Sequence, residues 1–440
     1  MAKTERAGRS KYRYPWWLEM LAAIGVAATL AVIITLFFAV GRRPPRLVPT
    51  QAPAVDAPEF IAAVAGIAGT PVRKGGTIRL LNNGVEIFPA LLQALRAARL
   101  TITLSVYIWE RGQVNDQVSA ALIERARAGV QVRVLLDSMG ALQAPSETID
   151  AMKKAGVKVE TFRPLRLGKL TRFHQRNHRR AIVIDGEVGF TGGAAVADKW
   201  LGDADTPEHW RDTMVEVTGP LAASLQSAFA PLWAYASGEL LEGRAFFRPD
   251  NVEGDGSGLR HTGLPSSPSS EDHPLRLFFA QSFAAARHRL YITTPYFVPD
   301  GATRRLVEQR ARAGVDVRIL LPDEHTDAKP IRLTTQGYYE EMLAAGVRVY
   351  EYQATMMHTK HVVVDGQWSI VGSPNMDIRS KELNMENVLG VLDAGFASEL
   401  EATFRKDLAK SREIKLQEWR QRSWWHRLLE RVCALFEEQY

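Results

Sequence analysis

The chain has one cysteine, Cys433, among 440 residues, so no intramolecular disulfide can form. A lone thiol fits the cytosol and a disulfide-free domain outside it equally well. There is no Cys-x-x-Cys pair, and the sequence motifs described below are short of carboxylates for a two-metal site, so no metal or other cofactor is expected. Nor is there a large excess of one charge. With 55 basic and 49 acidic residues the net charge is +6, a mild bias toward anionic partners such as phospholipid or nucleic acid. Apolar content of 46% and charged content of 24% are ordinary for a globular protein, and the length leaves room for two or three domain-sized units.

The N-terminus departs from this even composition. Residues 1–15 carry Lys3, Arg6, Arg9, Lys11 and Arg13 against one acid, Glu5. Trp16 and Trp17 follow, and Met20 to Gly41 is uncharged, close to the ~20 residues a helix needs to cross a bilayer. Arg42, Arg43 and Arg46 close the far side. A cleavable signal peptide would have a shorter apolar run and an Ala-x-Ala site, and a buried core helix would not carry basic flanks at both ends. The segment 1–42 therefore reads as a basic cytoplasmic tail and one transmembrane anchor. Five basic residues before the span and three after it place the tail inside and the rest of the chain outside.

Residues 43–76, rich in Pro, Ala and Gly, read as a linker. A first lobe follows over 77–249. Ile87 to Leu100 has helical periodicity, Ile102 to Ile108 reads as a strand, Val118 to Ala128 as a helix and Val130 to Leu136 as a strand. Such alternation implies an α/β layer architecture, a mixed sheet flanked by helices. Residues 250–274 (Gly, Ser, Pro and Asp rich) read as an inter-lobe linker, 275–415 as a second lobe with a helix from Phe396 to Lys415, and 416–440 as an amphipathic C-terminal segment. In that segment Trp425, Leu428, Leu429, Val432, Leu435 and Phe436 recur at helical spacing beside Arg427 and Arg431. The stripe either packs on the lobes or lies in a membrane interface.

The lobes repeat one another. Ala126–Leu136 matches Ala311–Leu321, and Ala155–Val159 matches Ala345–Val349. Most telling is a hairpin read as His361 to Val364, an Asp365-Gly366 turn, and Trp368 to Val371, preceded by His358 and Lys360. Residues two apart in extended chain share a face, so an imidazole and a fixed cation point the same way. His178, Arg180 and Asp185 repeat the pattern 180 residues earlier (358 − 178), and Phe190-Thr191-Gly192-Gly193 matches Ile370-Val371-Gly372-Ser373. The interval from Gly156 to His178 is 22 residues (178 − 156), against 12 (358 − 346) from Gly346 to His358. The extra length holds Arg163, Arg166, Lys169, Arg172 and Arg176, either a solvated basic loop or a grip on anionic head groups.

The spacing His-x-Lys-x-x-x-x-Asp followed by Gly-Ser-x-Asn, with Asn375 in last place, resembles the signature of the phospholipase D superfamily. The first copy departs from it twice: Arg180 replaces the lysine and Ala195 the asparagine. Thr294–Pro299, Gly372–Ser380, Trp210-Arg211-Asp212 with Gly219-Pro220, and Tyr107-Ile108 are similar to bacterial cardiolipin synthases of the phospholipase D type, over about residues 77–420. The resemblance implies that His178 and His358 face one phosphate, one as nucleophile and one as general acid. Arg180 and Lys360 would bind its non-bridging oxygens, and Ser373 and Asn375 would add donors. It further implies that a carboxylate some twenty residues past each motif aspartate orients the opposite histidine; those positions are Asp212 and Glu386, the latter beside Asn384. Asp185 and Asp365 are expected to hold local geometry at their turns. His174, His209, His288 and His361 are expected to be surface or core residues.

The implied reaction is phosphatidyl transfer between two phosphatidylglycerol molecules, releasing glycerol and giving cardiolipin through a phosphohistidine, at the inner membrane of a bacterium. A hydrolase using water as acceptor is the closest alternative. A nuclease would suit the positive charge but not the membrane span, and a lipid-binding protein with a decayed first lobe would suit Arg180 and Ala195. The sequence assigns no oligomeric state.

Overall fold

The computed structural model describes residues 15–39, 47–49, 51–164, 174–253, 258–268 and 273–437, with the side chains of 32–39 and 252–253 left out. The basic tail, Arg42, Arg43 and Arg46, and Arg166, Lys169 and Arg172 of the first-lobe loop lie outside the described residues. Two compact units result, Met1–Arg46 and Leu47–Tyr440.

In the first unit, Trp16–Ala39 is one helix, and every described side chain on it is exposed. Over the described side chains, which end at Ala31, no helix is long and apolar enough to cross a membrane.

The second unit contains two sheets with one shared plan. The first has seven strands in the order Ile78–Asn82, Thr213–Thr218, Val188–Gly192, Ala181–Ile184, Thr101–Val106, Gln131–Asp137 and Lys158–Phe162. The middle six strands of the second repeat the last six of that order: Glu386–Leu392, Trp368–Gly372, His361–Val364, Arg289–Thr293, Asp316–Pro322 and Arg348–Tyr352. In each run of six, the first three pairings are antiparallel and the last two, which join the last three strands, are parallel. The motif hairpins lie at the centre of their sheets, which buries their Val and Ile residues on both faces.

Among the described residues, three large apolar cores follow from this arrangement, with a smaller fourth around Tyr291, Leu320, Tyr352 and Phe404. One lies between the first sheet and the helices Asn83–Ala97 and Gln113–Arg127, and another between the second sheet and the helices Pro58–Ala68, Pro274–Ala285 and Gly301–Arg312. The third is common to both sheets: Trp233 and Phe229 of helix Pro220–Ser237 meet Val183 and Val217 on one side and Val363, Leu389 and Leu400 on the other. Each such enclosed side chain contributes roughly 1.5–3 kcal/mol. The shared core therefore fixes the two hairpins relative to each other.

Three boundaries differ from those read in the sequence. Residues 43–76 contain the helix Pro58–Ala68, whose Phe60 packs edge-on to Trp368 with centroids 5.2 Å apart, and a short strand Arg73–Lys74. Pro and Ala composition hid an i, i+4 apolar stripe of Phe60, Val64 and Ala68. Residues 250–274 contain the strand Arg260–Ser266, which pairs with Glu386–Leu392 along its full length. Its polar sequence is buried because helix Pro220–Ser237 lies over it; a Cβ at Gly263 would come within 2.6 Å of Ser224. Finally, the helix read as Phe396 to Lys415 is Ala394–Leu408, begun by an Asp393 cap. Ser411–Ile414 then turns into a strand against Arg348–Tyr352, held by the Arg348–Glu413 ion pair (2.9 Å).

Candidate active site

His178 and His358 each precede a central strand, Ala181–Ile184 and His361–Val364, in extended chain. Backbone hydrogen bonds splice these segments to the opposite lobe. His178 N–H donates to the Met385 carbonyl (3.0 Å) and His358 N–H to the Arg211 carbonyl (2.8 Å). The carboxylates one residue beyond those acceptors then meet the histidines. His178 Nδ1 is 2.8 Å from Glu386 Oε1, and His358 Nδ1 is 2.7 Å from Asp212 Oδ2. Each histidine is thus held by a carboxylate from the other lobe, with Glu386 and Asp212 fully buried. With Nδ1–H donated to a carboxylate, a neutral His178 keeps its Nε2 lone pair for a substrate, whereas Nε2 of His358 lies 3.1 Å from Lys360 Nζ.

Both cations are buried in the same place. Arg180 Nη1 donates to the His178 carbonyl (2.9 Å) and Lys360 Nζ to the His358 carbonyl (2.8 Å). Among the described residues, Arg180 Nε and Nη2 are buried with no hydrogen-bond partner, as is Asn375 Oδ1. Orphaned guanidinium donors inside a protein are costly and mark a place for an anion. Asn384 lies beside this region, buried, with Oδ1 likewise unpartnered.

The Ser373 hydroxyl is engaged by the orienting carboxylate rather than left for a phosphate. The Ser373 hydroxyl donates to Glu386 Oε2 and accepts from Asn387 N–H (3.0 Å), so it orients the carboxylate. The Asn375 backbone N–H donates to Ser380 Oγ (3.1 Å), which leaves its side chain in the place the resemblance gives it. In the first lobe Gly193 stands where Ser373 does, and a Cβ there would come within 2.2 Å of Asp212 Oδ1. The shorter aspartate needs a bare backbone beneath it, whereas the longer glutamate takes a serine.

Asp185 and Asp365 stand at their turns and reach across to a neighbouring strand. Both sit at positive φ (54° and 53°) in their turns. Asp185 accepts the N–H groups of Arg99, Leu100 and Thr101 (2.9, 2.7 and 2.8 Å), and Asp365 those of Arg287, His288 and Arg289 (2.8, 2.8 and 2.9 Å). They lock each hairpin to the neighbouring strand and are positioning residues. Asp185→Ala is expected to destabilise the fold by roughly 1–3 kcal/mol, from lost acceptors, while activity per folded molecule stays within about tenfold of wild type. Urea unfolding and assays on the folded fraction check this; a stable but inactive variant would place Asp185 in the chemistry.

Several contributors were not legible as such. The Tyr107 ring lies edge-on to His178 (centroids 5.2 Å), and Trp200 and Trp210 flank His358 at 5.4 and 5.3 Å. Trp200 Nε1 also donates to Asp212 Oδ2 (2.8 Å). Tyr107 and Trp210 stand in the family-like stretches, but nothing marked Trp200. Arg176, grouped with the basic loop, is buried and 3.5 Å from Asp137, whose other oxygen accepts Asn177 N–H (2.8 Å). It braces the chain entering His178. His361 points to the opposite face and meets Thr293 Oγ1 through Nε2 (3.2 Å). His174 and His178 have the His-x-x-x-His spacing of helical metal ligands, but their segment is not helical and His178 is engaged with Glu386. Among the described residues, no group of three or more His, Cys, Asp or Glu side chains is placed to hold a metal.

The electrostatics of the two pairs differ. Burial holds His178 well below its ordinary value, and Arg180, Lys360 and Arg379 push the same way. Burial and the nearby Lys360, whose Nζ is 3.1 Å from both ring nitrogens, lower His358 to about 4 against the pull of Asp212. Burial raises Glu386 to about 7, only partly offset by Ser373 and Arg180. Burial also acts to raise Asp212, but the charge and hydrogen bond of His358, with Lys360, bring it below the usual carboxylate range. Lys360 is lowered to about 7, by burial first, with Arg180 adding and Asp212 opposing. The site is two neutral imidazoles facing two cations, beside one firmly ionised carboxylate and one that readily takes a proton.

Two related lobes joined through crossed histidine–carboxylate pairs define a phospholipase D-like protein, and comparison with known proteins agrees. The family described as "Cardiolipin synthase, PLD-like domain" matches residues 91–233 and 279–408. The chain is 36% identical over 377 residues to cardiolipin synthase A of Pseudomonas fluorescens, covering 85% of this chain and 77% of that one. It is 33% identical over 372 residues to the cardiolipin synthase of Halalkalibacterium halodurans, covering 84% and 73%. Among solved structures, the phosphatidylserine synthase of Haemophilus influenzae shares the fold, with a TM-score of 0.69 over 87% of this chain and all of that one, at 15% identity. The chain belongs to the phospholipase D-like cardiolipin synthase family.

Proposed function

We propose that this protein is a phosphatidyltransferase that joins two phosphatidylglycerol molecules into cardiolipin and releases glycerol. The crossed pairing of each histidine with the other lobe's carboxylate, around two buried cations, carries this reading. Arg180 and Lys360 oppose the non-bridging oxygens of the first lipid's phosphate. The entering anion raises the proton affinity of both imidazoles. His178 Nε2 attacks phosphorus as the bond to the glycerol oxygen breaks, and His358 gives that oxygen a proton, its imidazolium stabilised by ionised Asp212. Glycerol leaves. Neutral His358 then takes the proton from a hydroxyl of the second phosphatidylglycerol, whose oxygen attacks phosphorus and breaks the P–N bond.

Purified full-length protein given phosphatidylglycerol alone should yield cardiolipin and glycerol. Phosphatidic acid as the sole lipid product would make it a hydrolase, and no turnover with any phospholipid would favour a lipid-binding role.

The uncharged run Met20–Gly41 and its basic flanks support an N-terminal transmembrane anchor with the second unit outside the cytoplasm, at a bacterial inner membrane. Protease added to intact spheroplasts is then expected to digest the second unit; full protection would reverse the orientation.

A pH profile follows from the site. Phosphate binding needs Lys360 charged, which holds below its value of about 7, and the productive His178 tautomer needs Glu386 ionised, which holds above about 7. In neutral detergent micelles kcat/KM should trace a narrow bell centred near that pH. Lys360→Arg should remove the alkaline limb, since a guanidinium keeps its proton throughout. An unchanged alkaline limb in that variant would assign it to another group.

A further inference from the structure

The helix Trp424–Ala434 is packed with its polar side inward. Its one acid, Glu430, is 4% exposed and receives Arg422 through two bonds (2.8 and 3.1 Å). His426 Nε2 meets Gln336 Oε1 at 3.0 Å, and just beyond the helix Glu437 accepts the Tyr338 hydroxyl. Gln336 belongs to the helix Lys329–Gly337, and Tyr338 follows it directly. The apolar side points away: Trp425, Leu428, Leu429, Val432, Leu435 and Phe436 are between 41% and 64% exposed. The sequence offered packing on the lobes as one reading of this stripe. The structure uses the opposite face for that packing.

A contiguous apolar strip of this kind marks an interaction surface, and three observations identify its occupant. First, the exposed charges on the helix are Arg427 and Arg431, while its only carboxylate is buried, so the surface calls for an anionic partner. A second copy of this chain docked face to face would set those arginines against one another. Second, Trp424 and Trp425 are stacked at 4.5 Å and exposed at the head of the stripe, where aromatic residues suit a head-group layer. Third, the platform helix connects this surface to the side of the active site. The platform helix begins at Lys329, two residues after Asp327, whose carboxylate accepts the Tyr296 hydroxyl (2.6 Å), and Tyr296 lies within electrostatic reach of Arg180.

We propose that the C-terminal helix lies in the head-group layer of an anionic bilayer, with the Trp425–Phe436 stripe inserted and Arg427 and Arg431 on lipid phosphates. It gives the catalytic unit its own hold on the membrane, separate from any N-terminal anchor. Its value to catalysis rests on the lipid substrate proposed above, but the docking itself does not.

The test uses full-length protein in vesicles of phosphatidylcholine and phosphatidylglycerol. Because an anchor would keep the chain bound regardless, insertion of this helix is measured rather than binding. A fluorophore is placed at Leu429→Cys in a Cys433→Ser background, with Leu240→Cys, another exposed leucine, as reference. Lipids carrying a shallow nitroxide should quench the label at 429 by about twofold or more and leave that at 240 unchanged. Equal, weak quenching at both positions overturns the proposal, and a dimer that shields the label at 429 would assign the surface to a second copy. In a second variant, Leu428→Glu with Leu429→Glu, cardiolipin formation should fall about tenfold or more on vesicles yet stay within about twofold in detergent micelles. Equal loss in both would make the stripe structural and overturn the proposal. Absence of turnover in the wild type would undo the proposed reaction and leave the quenching result to decide the docking.

Discussion

His178→Ala and His358→Ala are each expected to lower cardiolipin formation by on the order of 10⁴-fold or more, and to fail at different steps. Removing a nucleophile or its proton partner costs about this much where the two act as a unit. The roles are separable because their carboxylates differ. Ionised Asp212 can stabilise an imidazolium at His358, as a general acid requires. Glu386 is raised to about 7, and burial holds His178 neutral, as a nucleophile requires. A phosphodiester with a p-nitrophenol leaving group needs no acid in the first step. With it, His358→Ala should release a burst of p-nitrophenol equal to the enzyme present and retain a phosphohistidine detectable by mass, because nothing then activates the acceptor. His178→Ala should show neither. The opposite pattern would exchange the two roles, and wild-type turnover in the double variant would remove both from the chemistry.

That site was legible because the sequence states it twice. A repeated His-x-(Lys/Arg) pair at 180-residue separation located both imidazoles and both cations, and the family resemblance supplied Asp212 and Glu386. What the sequence left out is what depends on the meeting of the lobes. Asp185 and Asp365 are expected from the sequence to hold their turns, but nothing local shows that their carboxylates satisfy backbone N–H groups more than seventy residues away in sequence. Ser373 looks like a phosphate donor until Glu386 is brought to it by pairing of Trp368–Gly372 with Glu386–Leu392. Trp200 carries no local pattern at all, since its role comes from Asp212 twelve residues on. The strand Arg260–Ser266 was hidden for a related reason. Its Thr, Gly and Ser residues pair well only because a helix already covers them, so tertiary burial overrides a turn-like composition.

Arg180→Ala is expected to reduce turnover by about 10²–10³-fold, the scale for loss of one preorganised donor to a transition-state oxyanion. Arg180 has no exposed surface, and two of its three guanidinium nitrogens have no partner among the described residues, which suits donors kept for an anion. Its one bond, to the His178 carbonyl, has the same form as that of Lys360 to His358, so arginine occupies the place that lysine fills in the second lobe. The substitution has a second effect. Arg180 is one of the groups holding Glu386 down, so its loss should raise Glu386 further and move the acid limb of the pH profile upward. Arg180→Met, which keeps much of the volume, should behave as alanine does and separate charge from packing. Arg180→Lys keeps the charge but offers a point donor where a planar fork stood, and is expected to stay within about tenfold of wild type. Cardiolipin formed per folded molecule, with thermal unfolding as the control, decides the matter. Wild-type turnover in Arg180→Ala alongside an inactive Lys360→Ala would leave the first lobe's cation idle. An inactive wild type rescued by Arg180→Lys would identify a natural protein that binds lipid with a disarmed site.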